Sequence, residues 1–134
     1  MLLVEDNPAD ALLVREAIVL EGLPLEIHFA EDGEIAISFI ERAENDPNAP
    51  SPDLVLLDIN LPRIDGFDVL RRIRASERYG RLPVIVLSSS DSPADQREAA
   101  RFGASYFRKF RDYSEFLKIG PALRRFLEEN ALLR

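Results

Sequence analysis

The chain has 134 residues, of which 46 % are hydrophobic, and this is enough for one domain with a buried core. Its 24 acidic side chains outnumber the 17 basic ones and leave a net charge of −7, which argues against binding to nucleic acid and favours a cation as the charged partner. The absence of cysteine excludes disulfides and thiolate metal sites, and a single histidine leaves few routes to a zinc site or a Ser-His-Asp triad.

The N-terminal segment "MLLVED" lacks the basic start and the long apolar stretch of a signal peptide. No apolar segment approaches the roughly 18 residues that a membrane span requires. These features predict a cytoplasmic protein that does not act at a membrane.

Five short apolar runs alternate along the chain with segments of helical periodicity. The runs are Leu2–Val4, Leu25–Ala30, Leu54–Leu57, Val84–Leu87 and, more weakly, Ser105–Phe107. Most of them lack the alternating polarity of a strand with one face in water, so they suit a parallel sheet that is covered on both faces. Five strands alternating with five helices predict an α/β fold with an open, doubly wound five-stranded parallel sheet. In such a sheet the ligand site lies beyond the C-terminal ends of the strands.

Helix signals begin directly after the first run. Asn7 is predicted to be the N-cap of the first helix, with Pro8 at its first position and Gly22 ending it after about Glu21. In the second helix, apolar residues at spacings of three and four form one buried stripe. This stripe consists of Ala36, Phe39, Ile40 and Ala43.

The third and fourth helices follow the third and fourth runs. The third carries the same apolar spacing, at Phe67, Leu70 and Ile73. The fourth is predicted to begin with Ser92 as its N-cap and Pro93 next, and to end before Gly103.

The last helix is predicted to begin near Tyr113, but its pattern is interrupted. Its apolar side chains at helical spacing are Phe116, Ile119, Leu123 and Leu127. Because Gly120 and Pro121 fall inside this segment, we expect a kink or a break there.

A long polar segment, residues 42–53, precedes the third run. It holds three prolines and almost no apolar side chain, so it is predicted to be a surface loop rather than a domain linker. The chain is therefore predicted to form a single domain over residues 1–134.

Carboxylates follow two of the apolar runs. Asp58 ends the third run, and Glu5 and Asp6 follow the first. If the two strands are neighbours, three carboxylates converge, and two like charges about 4 Å apart repel by roughly 4 kcal/mol at an effective dielectric of 20. Oxygen ligands without a nearby histidine or cysteine favour a hard ion, so the pattern predicts a Mg²⁺ site. The simpler alternative is that Glu5 and Asp6 only cap the first helix and Asp58 only begins a loop.

Two further strand ends supply groups that complement this site. Ser88 follows the fourth run, and Lys109 follows the fifth. A hydroxyl and an ammonium group opposite a carboxylate-bound cation suit a tetrahedral anion. Taken alone, Ser88 is typical of a turn or a helix cap, and Lys109 is typical of the surface. Their positions at successive strand ends nevertheless favour a role for both in binding the anion.

Four segments together resemble the receiver domain of bacterial two-component response regulators. They are "LLVEDNPAD", "LVLLDINLPRIDG", "VIVLS" and "GASYFRKF". The resemblance covers essentially the whole chain and implies the flavodoxin-like (βα)5 receiver fold. It also implies that Asp6 and Asp58 bind Mg²⁺ directly with the backbone carbonyl of Asn60, and that Glu5 helps through water.

The resemblance further implies that Asp58 accepts a phosphoryl group from a phosphohistidine of a sensor histidine kinase. Ser88 and Lys109 would then hold the phosphoryl oxygens, and the protein would catalyse only its own phosphorylation and dephosphorylation. In this family the hydroxyl residue moves toward the phosphoryl group and an aromatic residue three positions before the lysine turns inward. Ser88 and Tyr106 are therefore the predicted switch, although Tyr106 also fits a half-buried residue of an edge strand.

One residue departs from the family pattern. Proline usually follows the lysine, often after a cis peptide bond, whereas this chain has Phe110. Since a cis bond without proline costs about 3–4 kcal/mol, we expect either trans geometry or a strained loop after Lys109.

The segment "EENALLR" after the last helix leads us to expect a receiver without an output domain, acting through protein contacts. The segment "NPADALLVREA", the proline-bearing loop and the missing proline resemble the small regulators that are paired with phytochrome-type kinases. Clustered apolar residues of the last helix would fit a homodimer, or would all pack on the sheet. These residues are Phe116, Leu123, Phe126 and Leu127.

Two other classes of function use the same residues. Asp58 would serve as the nucleophile of a Mg²⁺-dependent phosphohydrolase, although the acidic charge and the single domain argue against one. A degenerate receiver would bind partners constitutively, but it would have lost its acceptor or its lysine, and this chain retains both Asp58 and Lys109.

Overall fold

The five apolar runs become five parallel strands in the computed structural model, which describes residues 1–132. The strands are β1 (Leu2–Val4), β2 (His28–Ala30), β3 (Val55–Asp58), β4 (Val84–Ser88) and β5 (Ser105–Arg108). They lie in the order β2-β1-β3-β4-β5, so the direction of winding reverses between β1 and β3. This order confirms the predicted doubly wound sheet and makes the C-terminal ends of β1 and β3 direct neighbours.

Helices cover both faces of the sheet. They are α1 (Pro8–Leu20), α2 (Gly33–Asn45), α3 (Gly66–Ala75), α4 (Pro93–Arg101), α5 (Tyr113–Phe116) and α6 (Ile119–Glu129). Successive strand residues point to opposite faces, so Val55 and Leu57 pack with α2 and α3 while Leu54 and Leu56 pack with α1 and α6. Within residues 1–132, no helix is both long and apolar enough to cross a membrane.

The predicted helix ends are confirmed where a local hydrogen bond defines them. The side chain of Asn7 accepts backbone N–H groups from the first turn of α1, and that of Ser92 accepts one from α4. Gly22 and Gly103 lie just beyond α1 and α4, with φ of 68° and 66°.

The second strand is shorter than the apolar run that predicted it. The run begins at Leu25, whereas β2 begins at His28. Strand β1 has only three residues to pair with, and the ladder therefore joins Leu2–Val4 to His28–Ala30 and no more.

The last helix is interrupted, but not at the predicted position. The interruption lies at Leu117 and Lys118, between α5 and α6, whereas Gly120 and Pro121 belong to the first turn of α6. Proline is tolerated there because the first N–H groups of a helix have no intrahelical partner. A Cβ atom on Gly120 would lie 3.0 Å from the carbonyl oxygen of Ala17, so this glycine allows α6 to approach α1 closely.

The apolar residues of the last two helices pack onto the sheet. Phe116, Leu123 and Leu127 are buried and Phe126 is half-buried, all against the core that includes Leu3 and Leu56. This agrees with the second of the two predicted arrangements. The homodimer stays a prediction.

Gly66 fixes the loop between β3 and α3. A Cβ atom at this position would collide with the Cα of Ile59 and the carbonyl oxygen of Asp58. The backbone N–H of Gly66 also donates to the carbonyl of Ile59 at 3.2 Å. The start of α3 therefore lies directly against the end of β3, where only glycine fits.

We predict that Gly66→Ala lowers the free energy of unfolding by about 3 kcal/mol, because the added methyl group meets backbone that cannot move aside. Gly103→Ala is the matched control, since a Cβ there meets open space and only the positive φ is unfavourable, at about 1 kcal/mol. Urea denaturation of the two variants and the wild type measures both values. Equal losses for the two variants would contradict the steric argument.

Candidate functional site

The parallel register aligns the strand ends along one edge of the sheet. Strands β1 and β3 are paired up to Val4 and Leu57, so Glu5 and Asp58 are the next residues on two adjacent strands. Strand β4 lies beside β3 and ends with Ser88. Lys109 follows β5, which pairs with β4, and so it lies at the same edge. Strand pairing alone therefore brings Glu5, Asp58, Ser88 and Lys109 to one edge of the sheet.

The three predicted carboxylates meet at this edge. Glu5 is fully buried and Asp58 is 3 % exposed, while Asp6 is exposed to solvent. One oxygen from each carboxylate lies within 4.8 Å of the other two. Backbone N–H groups orient the two buried carboxylates, since that of Asn7 donates to Glu5 Oε1 at 3.2 Å and that of Asn60 to Asp58 Oδ1 at 2.9 Å.

The ammonium group of Lys109 contacts three carboxylates. Its Nζ lies 2.6 Å from Glu5 Oε2, 3.0 Å from Asp10 Oδ2 and 3.1 Å from Asp58 Oδ2. The side chain is only 9 % exposed. Its backbone N–H donates to the carbonyl of Ser88 at 2.7 Å, which fixes the base of the side chain beside β4.

Asp10 is a residue of this site that the sequence reasoning missed. It occupies the first turn of α1, where an acidic residue is favoured by the helix dipole alone. Its contact with Lys109 joins residues 99 positions apart. Only the packing of α1 against the strand ends reveals it, because nothing in the local sequence separates this acid from an ordinary first-turn acid.

Burial and neighbouring charge shift the protonation of two groups. Burial raises the pKa of the Glu5 carboxyl to about 8, with the adjacent Asp58 adding to the effect and Lys109 opposing it. Burial acts to lower the pKa of Lys109, but the adjacent carboxylates of Glu5 and Asp58 raise that pKa above its usual value. Glu5 is therefore the carboxyl that holds a proton at neutral pH when no cation is bound, and Lys109 stays charged.

The donor set fits a hard divalent cation. Glu5 Oε2 is buried and, despite its short distance to Lys109, has no properly aligned hydrogen-bond donor among the described residues. Such an oxygen is costly unless a cation or a proton satisfies it. With only carboxylate oxygens at hand, Mg²⁺ suits Glu5, Asp6 and Asp58 better than a softer metal does. The carbonyl of Asn60 stays a predicted ligand.

The two predicted switch residues are connected through Ser90. The buried hydroxyl oxygen of Ser88 accepts the backbone N–H of Ser90 at 3.0 Å and lies 3.5 Å from Asn60 Nδ2. The hydroxyl of Tyr106 donates to the carbonyl of Ser90 at 2.5 Å, and its ring is half-buried. A path of hydrogen bonds therefore runs from Ser88 through Ser90 to Tyr106, and this connecting role of Ser90 was not predicted from the sequence.

The bond between Lys109 and Phe110 is trans, as are all peptide bonds of residues 1–132. This is the first of the two geometries that the sequence left open. The ring of Phe110 lies beneath the guanidinium of Arg108, with 5.4 Å between the guanidinium carbon and the ring centroid.

Comparisons with known proteins identify relatives over most of the chain. The family model described as "Response regulator receiver domain" matches residues 1–112. Response regulator Rcp1 of Synechocystis sp. is 33 % identical over 134 residues, which cover 99 % of this chain and 91 % of that protein. The probable methanogenesis regulatory protein FilR2 of Methanothrix harundinacea is 40 % identical over 99 residues, covering 74 % of this chain and 63 % of that protein.

Solved structures agree with these relatives. The phosphorylated cyanobacterial phytochrome response regulator RcpA superimposes with a TM-score of 0.86 at 34 % identity, covering 98 % of this chain and 95 % of that one. The Mn²⁺-bound form of response regulator Rcp1 gives a TM-score of 0.86 at 33 % identity, covering 99 % and 96 %. Both likenesses extend over the whole sheet and its helices.

We predict that Glu5 makes the cation-free protein less stable as the pH rises. Its pKa is 4.5 as an ordinary side chain but about 8 in the folded protein, so between these values the folded state holds a proton that the unfolded chain has released. The free energy of unfolding therefore falls across this range and levels off above it. Urea denaturation in EDTA from pH 5.5 to 8.5 measures the slope.

Glu5→Gln removes the titrating group and should flatten the slope relative to the wild type. Glu31→Gln is the matched control, because Glu31 follows β2 at the same edge of the sheet but is exposed. If wild type and Glu5→Gln lose stability equally with pH, the slope does not come from Glu5.

Proposed function

The chain belongs to the response regulator receiver family of two-component signalling proteins, and we propose that its Asp58 accepts a phosphoryl group from a sensor histidine kinase. One observation carries the proposal. Asp58 is almost fully buried at a strand end, yet it shares its surroundings with the Lys109 ammonium at 3.1 Å and with two further carboxylates that suit a cation. A carboxylate in this position is poorly explained by packing or capping and well explained by phosphoryl transfer.

In the proposed reaction a carboxylate oxygen of Asp58 attacks the phosphorus of the phosphohistidine. The P–O bond to Asp58 forms as the P–N bond breaks, and the imidazole nitrogen retains the bonding electron pair and takes up a proton. The transition state is loose and in line, so catalysis consists of positioning the groups and neutralising charge on the phosphoryl oxygens. Lys109 would donate to one of these oxygens from the position it already occupies.

Ser88 would donate to a second phosphoryl oxygen. Among the hydrogen bonds of residues 1–132, its Oγ acts only as an acceptor, from Ser90 and Asn60, so its own proton is uncommitted. Mg²⁺, when bound by Asp6 and Asp58 with help from Glu5 and the carbonyl of Asn60, would supply further positive charge to the phosphoryl oxygens.

The signal would leave the site through the switch residues. Movement of Ser88 toward the phosphoryl group would stretch its bond to the N–H of Ser90, whose carbonyl is held by Tyr106. Because Tyr106 lies on β5 at the edge of the sheet, a shift there would alter a surface that partner proteins can contact. A preference of about 3 kcal/mol is sufficient, since it changes a two-state ratio more than a hundredfold.

We further propose that the protein is a stand-alone cytoplasmic regulator whose kinase is of the phytochrome type, and that it acts through protein contacts. The chain covers 91 % of Rcp1 and 95 % of RcpA, and the latter is described as a phytochrome response regulator. No observation favours the phosphohydrolase, and a constitutive binding module would have lost its acceptor or its lysine, whereas this site retains both Asp58 and Lys109.

We predict one phosphoryl adduct on Asp58 when the protein is incubated with acetyl phosphate and Mg²⁺. Intact-mass spectrometry should show a single added phosphoryl group that is absent in EDTA and absent in Asp58→Asn. Asp53→Asn is the matched control, because Asp53 precedes β3 at the opposite end of the same strand and its side chain is 67 % exposed. An adduct that persists in Asp58→Asn, or none in the wild type, contradicts the proposed acceptor.

A further inference from the structure

Asp10 has a contact that neither the metal site nor the proposed phosphoryl transfer explains. Its Oδ2 accepts a hydrogen bond from Lys109 Nζ at 3.0 Å, and its side chain is 26 % exposed. The helix dipole favours an acid in the first turn of α1, but that preference is satisfied equally well by a carboxylate turned to water. The direction of Asp10 toward Lys109 therefore needs its own explanation.

Lys109 extends to its site from the edge strand of the sheet. It follows β5, which is the edge strand, and β4 separates β5 from the strand that carries Asp58. Its backbone is fixed at Ser88, but four rotatable bonds separate that point from the ammonium group. A flexible stem of this length places its charge accurately only if the end of the side chain is also held.

The three N–H donors of Lys109 face three carboxylates, but only two of these carboxylates accept aligned hydrogen bonds. Asp10 and Asp58 accept aligned hydrogen bonds at 3.0 and 3.1 Å, whereas Glu5 is close but not aligned. In the reaction proposed above, Asp58 itself is modified and its bond to Lys109 passes to a phosphoryl oxygen. Asp10 is then the one aligned partner that the chemistry leaves unchanged.

We propose that Asp10 is a positioning residue that anchors the Lys109 ammonium over Asp58 before and after phosphoryl transfer. The expected effect of Asp10 on phosphoryl transfer rests on the proposed function, whereas the contact between Asp10 and Lys109 does not. Among the side-chain hydrogen bonds and ion pairs of residues 1–132, the carboxylate of Asp10 is joined to Lys109 alone, so Asp10 acts through Lys109.

Helix α1 supplies the matched control. Glu16, the other acid within α1, accepts from the hydroxyl of Tyr113, and Glu21, directly after α1, accepts from the guanidinium of Arg124. Glu16→Gln therefore makes the same change of charge on the same helix without touching Lys109. This control distinguishes a loss of the contact with Lys109 from the general effect of removing one negative charge from α1.

The first measurement is the rate of phosphorylation by acetyl phosphate in Mg²⁺, followed by intact mass. Asp10→Ala is expected to lower the rate about tenfold, and Asp10→Asn, which keeps an acceptor oxygen, to stay within about threefold of the wild type. Glu16→Gln is expected to match the wild type. Circular dichroism and thermal melting verify that each variant is folded.

The second measurement observes Lys109 directly. Of the 17 basic side chains only Lys109 and Lys118 are lysines, so selective ¹⁵N and ¹³C labelling of lysine gives two side-chain signals in an NMR spectrum. The signal of Lys109 should shift in Asp10→Ala, in unphosphorylated protein, while that of Lys118, which pairs with Glu115, should not. A purely structural role of Asp10 in starting α1 would leave both signals in place.

The two measurements together decide the proposal. A slower rate with a shifted Lys109 signal supports it. An unshifted Lys109 signal overturns it whatever the rate, and a shifted signal with an unchanged rate overturns the positioning role. If the wild type accepts no phosphoryl group, the proposed function has failed, and the spectrum alone then decides whether Asp10 holds Lys109.

Discussion

Mutual repulsion of carboxylates at the edge where β1 and β3 end is the constraint around which this protein is organised. Two unit charges about 4 Å apart cost roughly 4 kcal/mol at an effective dielectric of 20, and the site holds Glu5, Asp6 and Asp58 within that order of distance of one another. Lys109 offsets part of this repulsion, and a proton on Glu5 offsets more, as the raised pKa of that group indicates. With Glu5 protonated, Asp6, Asp10 and Asp58 share this edge with one ammonium group, and the two negative charges left over match one divalent cation. The same groups that oppose folding at this edge therefore define what the edge binds.

The fold resolves the constraint by bringing each compensating group from a different element. The reversal of winding between β1 and β3 creates the cluster, the edge strand β5 supplies the ammonium group, and helix α1 supplies a carboxylate that faces it. Gly66 allows α3 to begin against the carbonyl of Asp58, which keeps the acceptor at the very end of its strand. No single segment contains the site, so its geometry depends on the packing of the whole sheet. Because α1 and α3 pack on the sheet and also border the site, a change in the packing of either helix would alter the surroundings of Asp58.

The parts of the structure that follow from local or periodic rules were predictable, and those that depend on contacts between distant segments were not. The cap at Asn7 and the convergence of strand ends follow from hydrogen bonding and parallel pairing, which act the same way in any sheet of this class. The break before α6 was misplaced because Pro121 is tolerated in a first turn, and the local sequence does not show that α6 begins only at Ile119. The contacts of Asp10 and Ser90 were missed for the same reason. Each joins residues whose local sequence carries no sign of the partner.

The number of hydrogen-bond donors at the site explains why a signal would pass through Ser88 rather than through Lys109. A phosphoryl group brings three acceptor oxygens and close to two negative charges. All three N–H groups of Lys109 already face carboxylates, so Lys109 can serve the phosphoryl group by exchanging one partner, without leaving its place. Ser88 is different, because its proton is uncommitted while its oxygen is held by the N–H of Ser90. Movement of Ser88 toward the phosphoryl group, as proposed above, would disturb its bond from the N–H of Ser90 and with it the bond from Tyr106. The lysine would therefore hold the phosphoryl group in place, whereas the serine would report its presence to the surface.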